Sequence, residues 1–141
     1  MDKPKRPLIT KTIIINENDE YLVLRRDLKD DVGAGKLDLP GGGVDEHEGI
    51  YEGAVREVFE ETGITLSIED IELVCTKSKF QPTNQGKKNL HRFLFVARVH
   101  NAPVAVSEEH DAHYWFTKRE LLANYDHHAW RPMLDYYFKY Y

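Results

Sequence analysis

Two kinds of hydrophobic pattern recur along the chain, and the first of them predicts β-strands. Residues 8–16 are rich in β-branched side chains and residues 21–24 follow across a short polar turn, which predicts a β-hairpin. The same pattern predicts further strands at 36–39, 70–78, 90–99 and 112–116. Between them, we expect 40–43 to interrupt regular structure and 81–88 to form a polar loop.

The second pattern, with apolar residues three or four positions apart, predicts helices at 50–62, 118–124 and 131–140. At about 100° per residue, one stripe of the first helix is predicted to face the core. Its members are Tyr51, Val55, Val58, Phe59 and Thr62. Gly63 follows where a left-handed C-cap glycine is expected. The order of strands, helix, strands and helix predicts an α+β or α/β domain with layers around a mixed sheet.

Length and composition favour one globular domain covering residues 1–141. Hydrophobic residues make up 41% of the 141 positions and charged residues 30%, which is typical of a chain with an ordinary core. The formal net charge of −5 argues against a protein that coats DNA, because such proteins neutralise phosphates with lysine and arginine. A nucleotide substrate remains open, since a bound metal ion would supply positive charge.

Cysteine content and hydropathy bear on where the protein acts. Cys75 is the only cysteine of the sequence, so an intrachain disulfide is excluded and a reducing compartment is favoured. No apolar run approaches about 18 residues, and the run at 12–15 is too short for the core of a signal peptide. We therefore expect a cytoplasmic protein that does not bind a membrane.

The first predicted helix carries three carboxylates beside its apolar stripe. Glu57, Glu60 and Glu61 lie within about 100° of one another on the helix surface. Because Glu57 and Glu61 are four residues apart, their charges repel by roughly 0.2–0.5 kcal/mol, and a neutralising partner is expected. Arg56 is spaced to pair with Glu60 or Glu52, but one arginine does not serve the whole patch. A site made of oxygen ligands alone favours a hard divalent ion, Mg²⁺ or Mn²⁺.

Glycines near these carboxylates give a second indication. Gly53 lies one turn before Glu57, where a missing side chain would leave the carboxylates open to ions and phosphate; a tolerated glycine without a role is the alternative. The run Gly41, Gly42 and Gly43 precedes the helix. Such a run either lets backbone atoms approach a metal or an anion, or simply forms a turn.

Together these residues resemble the Nudix box of the Nudix hydrolase superfamily. The match runs Gly42-x5-Glu48-x7-Arg56-Glu57-Val58-x-Glu60-Glu61-x-Gly63-Ile64, and every defining position is filled. The preceding Leu39-Pro40-Gly41-Gly42 is similar to the entry of the box in MutT-like members. The resemblance implies an α/β fold of the Nudix type, an α/β/α sandwich with a mixed β-sheet between helices.

The resemblance also implies a metal site and a reaction. Mg²⁺, with Mn²⁺ as a substitute, would be held by Glu57, Glu60, Glu61 and the carbonyl of Gly42. The reaction would cleave the phosphoanhydride bond of a nucleoside diphosphate linked to a group X, with water attacking phosphorus. The substrate favoured is a nucleoside triphosphate, in normal or oxidised form, which would give a nucleoside monophosphate and pyrophosphate.

Further residues take their expected roles from the same resemblance. Arg56 would orient a glutamate, and Glu48 would be structural or weakly linked to the metal. Gly63 belongs to the motif as the residue after the helix. Glu109 matches the loop position where MutT-like members place an extra glutamate, as a metal ligand or as the general base. Glu57 and Glu60 stay open as alternatives for the base.

Arg25, Arg26 and Phe80 are candidates for substrate binding. The two arginines would grip a phosphate, with a solvated strand end as the alternative. Phe80 would stack on a base, a contact worth roughly 1–3 kcal/mol, unless it packs in the core.

Other functions and assemblies remain open on the sequence. A nucleotide sugar or a dinucleoside polyphosphate is the alternative substrate, and a non-catalytic nucleotide-sensing domain is the alternative of another class. A third interpretation, an acidic helix that only solubilises a structural protein, predicts no effect of Mg²⁺ on the melting temperature. The expected partner is a small-molecule nucleotide, and the chain is expected to be a monomer or a homodimer.

Overall fold

The computed structural model describes residues 7–28, 35–83 and 86–141 of the chain. Seven strands are present in these ranges: β1 (Leu8–Ile15), β2 (Tyr21–Arg26), β3 (Leu37–Asp38), β4 (Gly41–Gly43), β5 (Glu72–Thr83), β6 (Gly86–Arg98) and β7 (His110–Phe116). The helices are α1 (Ile50–Thr62), α2 (Lys118–Asn124) and α3 (Arg131–Tyr140), with a 3₁₀ turn at Ile68–Asp70. None of the helices in the described ranges has the length and hydropathy needed to cross a membrane.

The strands form one mixed sheet in the order β3-β2-β1-β6-β5. β1 and β6 are parallel, and the other strand pairs are antiparallel. β1 pairs with β2 at the Ile15 end and with the short strand β4 at the Ile9 end, while β7 pairs with β2. The sheet thus places β4 beside the first half of β1.

Alternation along β1 sends its side chains into two separate cores. Ile13 and Ile15 pack with the side chains of α2, α3 and the loop between them, whereas Ile14 packs with α1. Ala54 and Val58 of α1 lie in this second core and are fully buried. Helices therefore cover both faces of the sheet, which confirms the predicted α/β/α sandwich.

The bounds of all three helices agree with the sequence prediction, and Gly63 caps α1 with a φ of 75°. The predicted apolar stripe of α1 is wrong in part. Val58 and Thr62 are buried as expected, but Phe59 is 55% exposed and Tyr51 is 38% exposed. The buried sector is rotated towards Gly53, Ala54 and Glu61, because the sheet contacts that side of the helix.

Two segments predicted to be irregular are strands. Gly41–Gly43 is β4, where pairing with β1 overrides the low strand propensity of glycine. The predicted polar loop at 81–88 belongs largely to β5 and β6, which extend the hairpin to Thr83 and Gly86. Gly86 has a φ of 96°, which suits the turn of this hairpin. The two residues between them lie outside the described ranges.

Candidate active site

The carboxylates of α1 approach the glycine strand β4. Glu61 accepts a hydrogen bond from the N–H of Gly41 at 2.7 Å. The carboxylate of Glu57 lies against Gly42: a Cβ on this glycine would fall 2.5 Å from Oε2 of Glu57. Only glycine leaves room for the carboxylate there. The structure thus brings together Gly42, Glu57 and Glu61.

Arg56 connects several carboxylates at one end of this cluster. Its guanidinium donates to Glu48 at 2.6 Å, to Glu57 at 3.0 Å and to Glu60 at 3.1 Å. It also donates to the carbonyl of Gly43 at 3.0 Å, and lies 3.6 Å from Asp45. The pairing with Glu60 confirms one of the two partners expected from the spacing. The guanidinium reaches more of the patch than helix spacing predicts, because Asp45 and Glu48 come from the preceding loop.

Glu48 is placed by the loop rather than by a helix. Its Oε1 accepts from the N–H of Asp45 at 2.8 Å and from Arg56. Gly53 lies beside it, and a Cβ there would meet Glu48 at 3.0 Å and Val44 at 3.2 Å. The missing side chain of Gly53 therefore makes room for the loop, and its expected role in uncovering the carboxylates stays a prediction.

Burial and crowding raise the pKa of two of the α1 carboxylates. Burial raises the pKa of Glu61 to about 7, and the negative charges of Glu57 and Asp38 act in the same direction. At Glu57 burial is again the main cause of a raised pKa, with Glu60 and Glu109 adding to it and Arg56 opposing it. Negative charge at this site is costly, and a bound cation would relieve that cost.

Glu109 lies near the α1 cluster although it is far away in the sequence. Its negative charge raises the pKa of Glu57. Its backbone carbonyl accepts a hydrogen bond from the N–H of Asp27 at 2.9 Å. The side chain of Glu109 is exposed. The charge of Glu109 thus contributes to the raised pKa of Glu57, while its own side chain is open to solvent.

The donor set fits a divalent cation in its chemistry. Glu57 and Glu61 are oxygen donors with raised pKa values, and the space beside Gly42 is one that a Cβ would fill. As the side chains stand, no three acidic, histidine or cysteine side chains of the described ranges are grouped closely enough to hold a metal ion. Arg56 instead occupies Glu57 and Glu60.

The three predicted substrate-binding residues lie on strands β2 and β5. Arg25 forms an ion pair with Asp111 at 2.6 Å, and Asp111 also accepts from the N–H of Leu28 at 3.4 Å. Arg26 lies opposite His110, next to Glu109. Phe80 lies on β5 and is 61% exposed, so it does not belong to the core.

A buried ion pair that the sequence analysis missed lies next to the cluster. Lys11 donates to Asp38 at 2.8 Å, and each side chain is 11% exposed. The hydroxyl of Tyr125 donates to Asp38 at 3.4 Å. The signal for this pair was a lone charge inside each of two apolar strands, at Lys11 before Thr12 and at Asp38 between leucines.

A family model described as the NUDIX domain matches residues 5–137 of the chain. An 8-oxo-dGTP diphosphatase of Escherichia coli (strain K12) is 43% identical over 61 residues, which make up 43% of this chain and 46% of that protein. The chain spans less than half the length of the curated relatives that it matches.

Solved structures resemble the chain over more of its length. The crystal structure of a MutT protein from Methanosarcina mazei Go1 is 28% identical, with a TM-score of 0.73, and the match covers 99% of this chain and 95% of that one. A second is a bifunctional NMN adenylyltransferase/ADP ribose pyrophosphatase from Francisella tularensis, complexed with AMP and a Mn ion. It is 22% identical, with a TM-score of 0.69, and the match covers 98% of this chain and 42% of that one.

Proposed function

This chain belongs to the NUDIX domain family, and on that premise we propose that it is a pyrophosphohydrolase that depends on a divalent metal ion. Its reaction is the hydrolysis of a phosphoanhydride bond in a nucleoside diphosphate linked to a group X. The observation that carries the proposal is the convergence of Glu57 and Glu61 on the glycines of β4, at raised pKa values.

Glu57, Glu61 and the carbonyl of Gly42 are the proposed ligands of Mg²⁺, with Glu60 as an additional ligand. A divalent ion bound there supplies positive charge to the substrate phosphates and acidity to a water molecule. Arg56 positions Glu57 and Glu60 through its hydrogen bonds to both. The similar solved structure from Francisella tularensis, complexed with AMP and a Mn ion, supports a site of this type, with Mn²⁺ as the substitute metal.

Proton transfer is assigned to a carboxylate beside the cluster. Water attacks a phosphorus atom, the bridging P–O bond breaks, and the leaving phosphate takes the bond electrons. The water proton passes to a carboxylate within hydrogen-bond reach. Glu109 is the favoured base because it is exposed and near Glu57, whereas Glu57 and Glu60 are engaged by Arg56.

The proposed substrate is a nucleoside triphosphate, in normal or oxidised form, which yields a nucleoside monophosphate and pyrophosphate. The similarity to an 8-oxo-dGTP diphosphatase supports this choice. A nucleotide sugar or a dinucleoside polyphosphate is the second candidate. A non-catalytic nucleotide-sensing domain is disfavoured by the sequence, which retains every glutamate of the box.

The test is phosphate release from a panel of nucleotides with Mg²⁺ and, in parallel, with EDTA. We expect turnover with Mg²⁺ that EDTA abolishes, and Glu57→Gln is expected to lower it by about two to four orders of magnitude. Glu52→Gln is the matched control, because Glu52 lies exposed on the same helix, outside the cluster. Binding of nucleotides without turnover would favour the sensing domain, and equal activity in both variants would contradict the proposed site.

A further inference from the structure

Arg92 of β6 is a buried cation without a partner among the described residues. The residue is 8% exposed, and no hydrogen bond or ion pair of its guanidinium is found within residues 7–28, 35–83 and 86–141. Other arginines pair with carboxylates, as Arg25 does with Asp111 and Arg98 with Asp19. Burial lowers the pKa of Arg92, so its charge is partly desolvated with no ion pair in the described ranges to compensate, and a bound anion would offset that cost.

Cross-strand register places Arg92 in a row of positive charges. Lys77 of β5 lies directly opposite Arg92, so the two side chains project from the same face of the sheet at about 5 Å. Lys79 follows two residues later on that face, and both lysines are exposed. Like charges directly opposite each other are destabilising, and an anion bound between them would relieve the repulsion.

The row continues from β5 and β6 to the ion pair on β1. Arg92 lies opposite Ile9, and Lys11 is two residues further along the same face of β1. Asp38 is engaged by Lys11 at 2.8 Å, so it does not neutralise Arg92.

The row lies on the face of the sheet that α2 and α3 cover, opposite α1, and Lys11 relates it to the α1 cluster at the edge beside β4. Lys11 lies opposite Gly41, whose N–H holds Glu61. The positive charge of Lys11 lowers the pKa of Glu61, and the negative charge of Asp38 raises it. One strand spacing, about 5 Å, separates β6 from β1, and β4 lies on the other side of β1.

We propose that Arg92, with Lys77 and Lys79, forms an anion subsite that binds a phosphate or carboxylate group of the substrate remote from the cleaved anhydride. The proposal rests on the proposed function, because it takes the α1 cluster as the place of cleavage. The fork of the guanidinium suits either oxyanion, through two parallel hydrogen bonds. Because Arg92, Lys77 and Lys79 are all positively charged, they favour an anionic group over the neutral hydrogen-bond acceptors of a nucleobase.

The direct test is NMR of the arginine Nε–H groups in the metal-free protein, titrated with inorganic phosphate, malonate or guanosine. We expect a saturable shift of the Arg92 signal with phosphate, malonate or both, and none with guanosine. The anion that binds more tightly identifies the group as phosphate or carboxylate. A shift with guanosine alone, or no shift with any of the three, overturns the subsite. Neither result bears on hydrolysis at α1.

Variants separate an anion subsite from a structural role of Arg92. Arg92→Gln should melt no lower than the wild-type chain without anions, because it removes an unpaired buried charge, and phosphate should raise the melting temperature of the wild type but not that of Arg92→Gln. Arg98→Gln, on the same strand and at the same face, is the matched control and should keep the response to phosphate. A lower melting temperature of Arg92→Gln, with the phosphate response retained, contradicts the proposal.

Kinetics test the link to the substrate. Phosphate should raise the KM of the wild type, and Arg92→Gln should raise KM by about tenfold with kcat little changed, the loss expected for one charge-assisted pair. If phosphate binds at Arg92 but leaves KM unchanged, the site exists apart from the substrate and the link is wrong. If no nucleotide is hydrolysed while phosphate still shifts Arg92, the proposed function fails, and with it the assignment of this anion to a substrate.

Discussion

Glu61 and Asp38 are carboxylates of nearly equal burial whose pKa values shift in opposite directions. Glu61 is 7% exposed and Asp38 is 8% exposed. Burial raises the pKa of Glu61 to about 7. Burial also acts upwards at Asp38, but Lys11, 2.8 Å away, holds its pKa below the ordinary value. The partner, and not the depth of burial, decides the sign.

This contrast separates a structural charge from a proposed metal ligand. Asp38 and Lys11 form a matched pair inside the fold, so their charges are satisfied without a ligand. Glu61 lies beside a second carboxylate, Glu57, and Arg56 is occupied by Glu48, Glu57 and Glu60. A crowded carboxylate with a raised pKa is typical of a functional site.

Breaking the matched pair should have the largest effect on stability. Lys11→Met leaves the carboxylate of Asp38 buried and unpaired, and we expect the free energy of unfolding to fall by about 3 kcal/mol or more. Denaturant unfolding at neutral pH measures this change. Lys11→Met combined with Asp38→Leu should recover much of the loss; a double variant that is less stable than the single one would contradict a matched pair.

Removing the charge of Glu61 should act in the opposite direction. Burial raises the folded pKa of Glu61 from its ordinary value of 4.5 to about 7, so at pH 8 the ionised form costs the folded state about 3 kcal/mol. Glu61→Gln should therefore raise the stability of the metal-free protein at pH 8, and the gain should shrink as the pH falls towards 4.5. Mg²⁺ should stabilise the wild type more than this variant, and a variant destabilised at pH 8 without metal would refute the argument.

Two glycines offer a comparison within the α1 region itself. A Cβ at Gly42 would fall 2.5 Å from the Glu57 carboxylate, and a Cβ at Gly49 would collide with Oε2 of Glu52. Both substitutions displace the end of a flexible glutamate, but only Glu57 belongs to the proposed site. Gly42→Ala should lower kcat/KM by about tenfold or more, and Gly49→Ala should leave it unchanged. Equal effects would show that the position of Glu57 is not important for turnover.

The sequence predicted what depends on neighbours along the chain. Helical spacing brings Glu57 and Glu61 to one side of α1, and Gly63 ends the helix as its position requires. These features follow from local geometry. The roles of Glu57, Glu60, Glu61 and Glu109 stay predictions until activity is measured.

What the sequence could not predict depends on long-range pairing. Lys11 and Asp38 are 27 positions apart, and Tyr125 is 87 positions from Asp38, so no spacing rule relates them. Helical periodicity predicted that one stripe of α1 is buried, but it did not predict which side of the helix packs against the sheet. For that reason Phe59 was predicted to face the core, whereas it is exposed. Likewise, β4 exists because β1 lies beside it, against the propensity of its three glycines.

The smallest expected effect is a pH dependence next to the matched pair. Burial lowers the pKa of His127, with the charge of Asp38 opposing the shift and those of His128, Lys11 and Arg92 adding to it. Below about pH 6.5 the unfolded chain takes up the proton more readily than the folded one, so stability is lost as the pH falls through the folded pKa of His127. His127→Gln should flatten this part of the stability profile between pH 7.5 and 5.5, relative to wild type. Exposed His47, replaced in the same way, should not. A profile equally steep in both variants would mean that His127 titrates alike in the folded and unfolded chain, and that the burial seen beside Asp38 does not persist in solution.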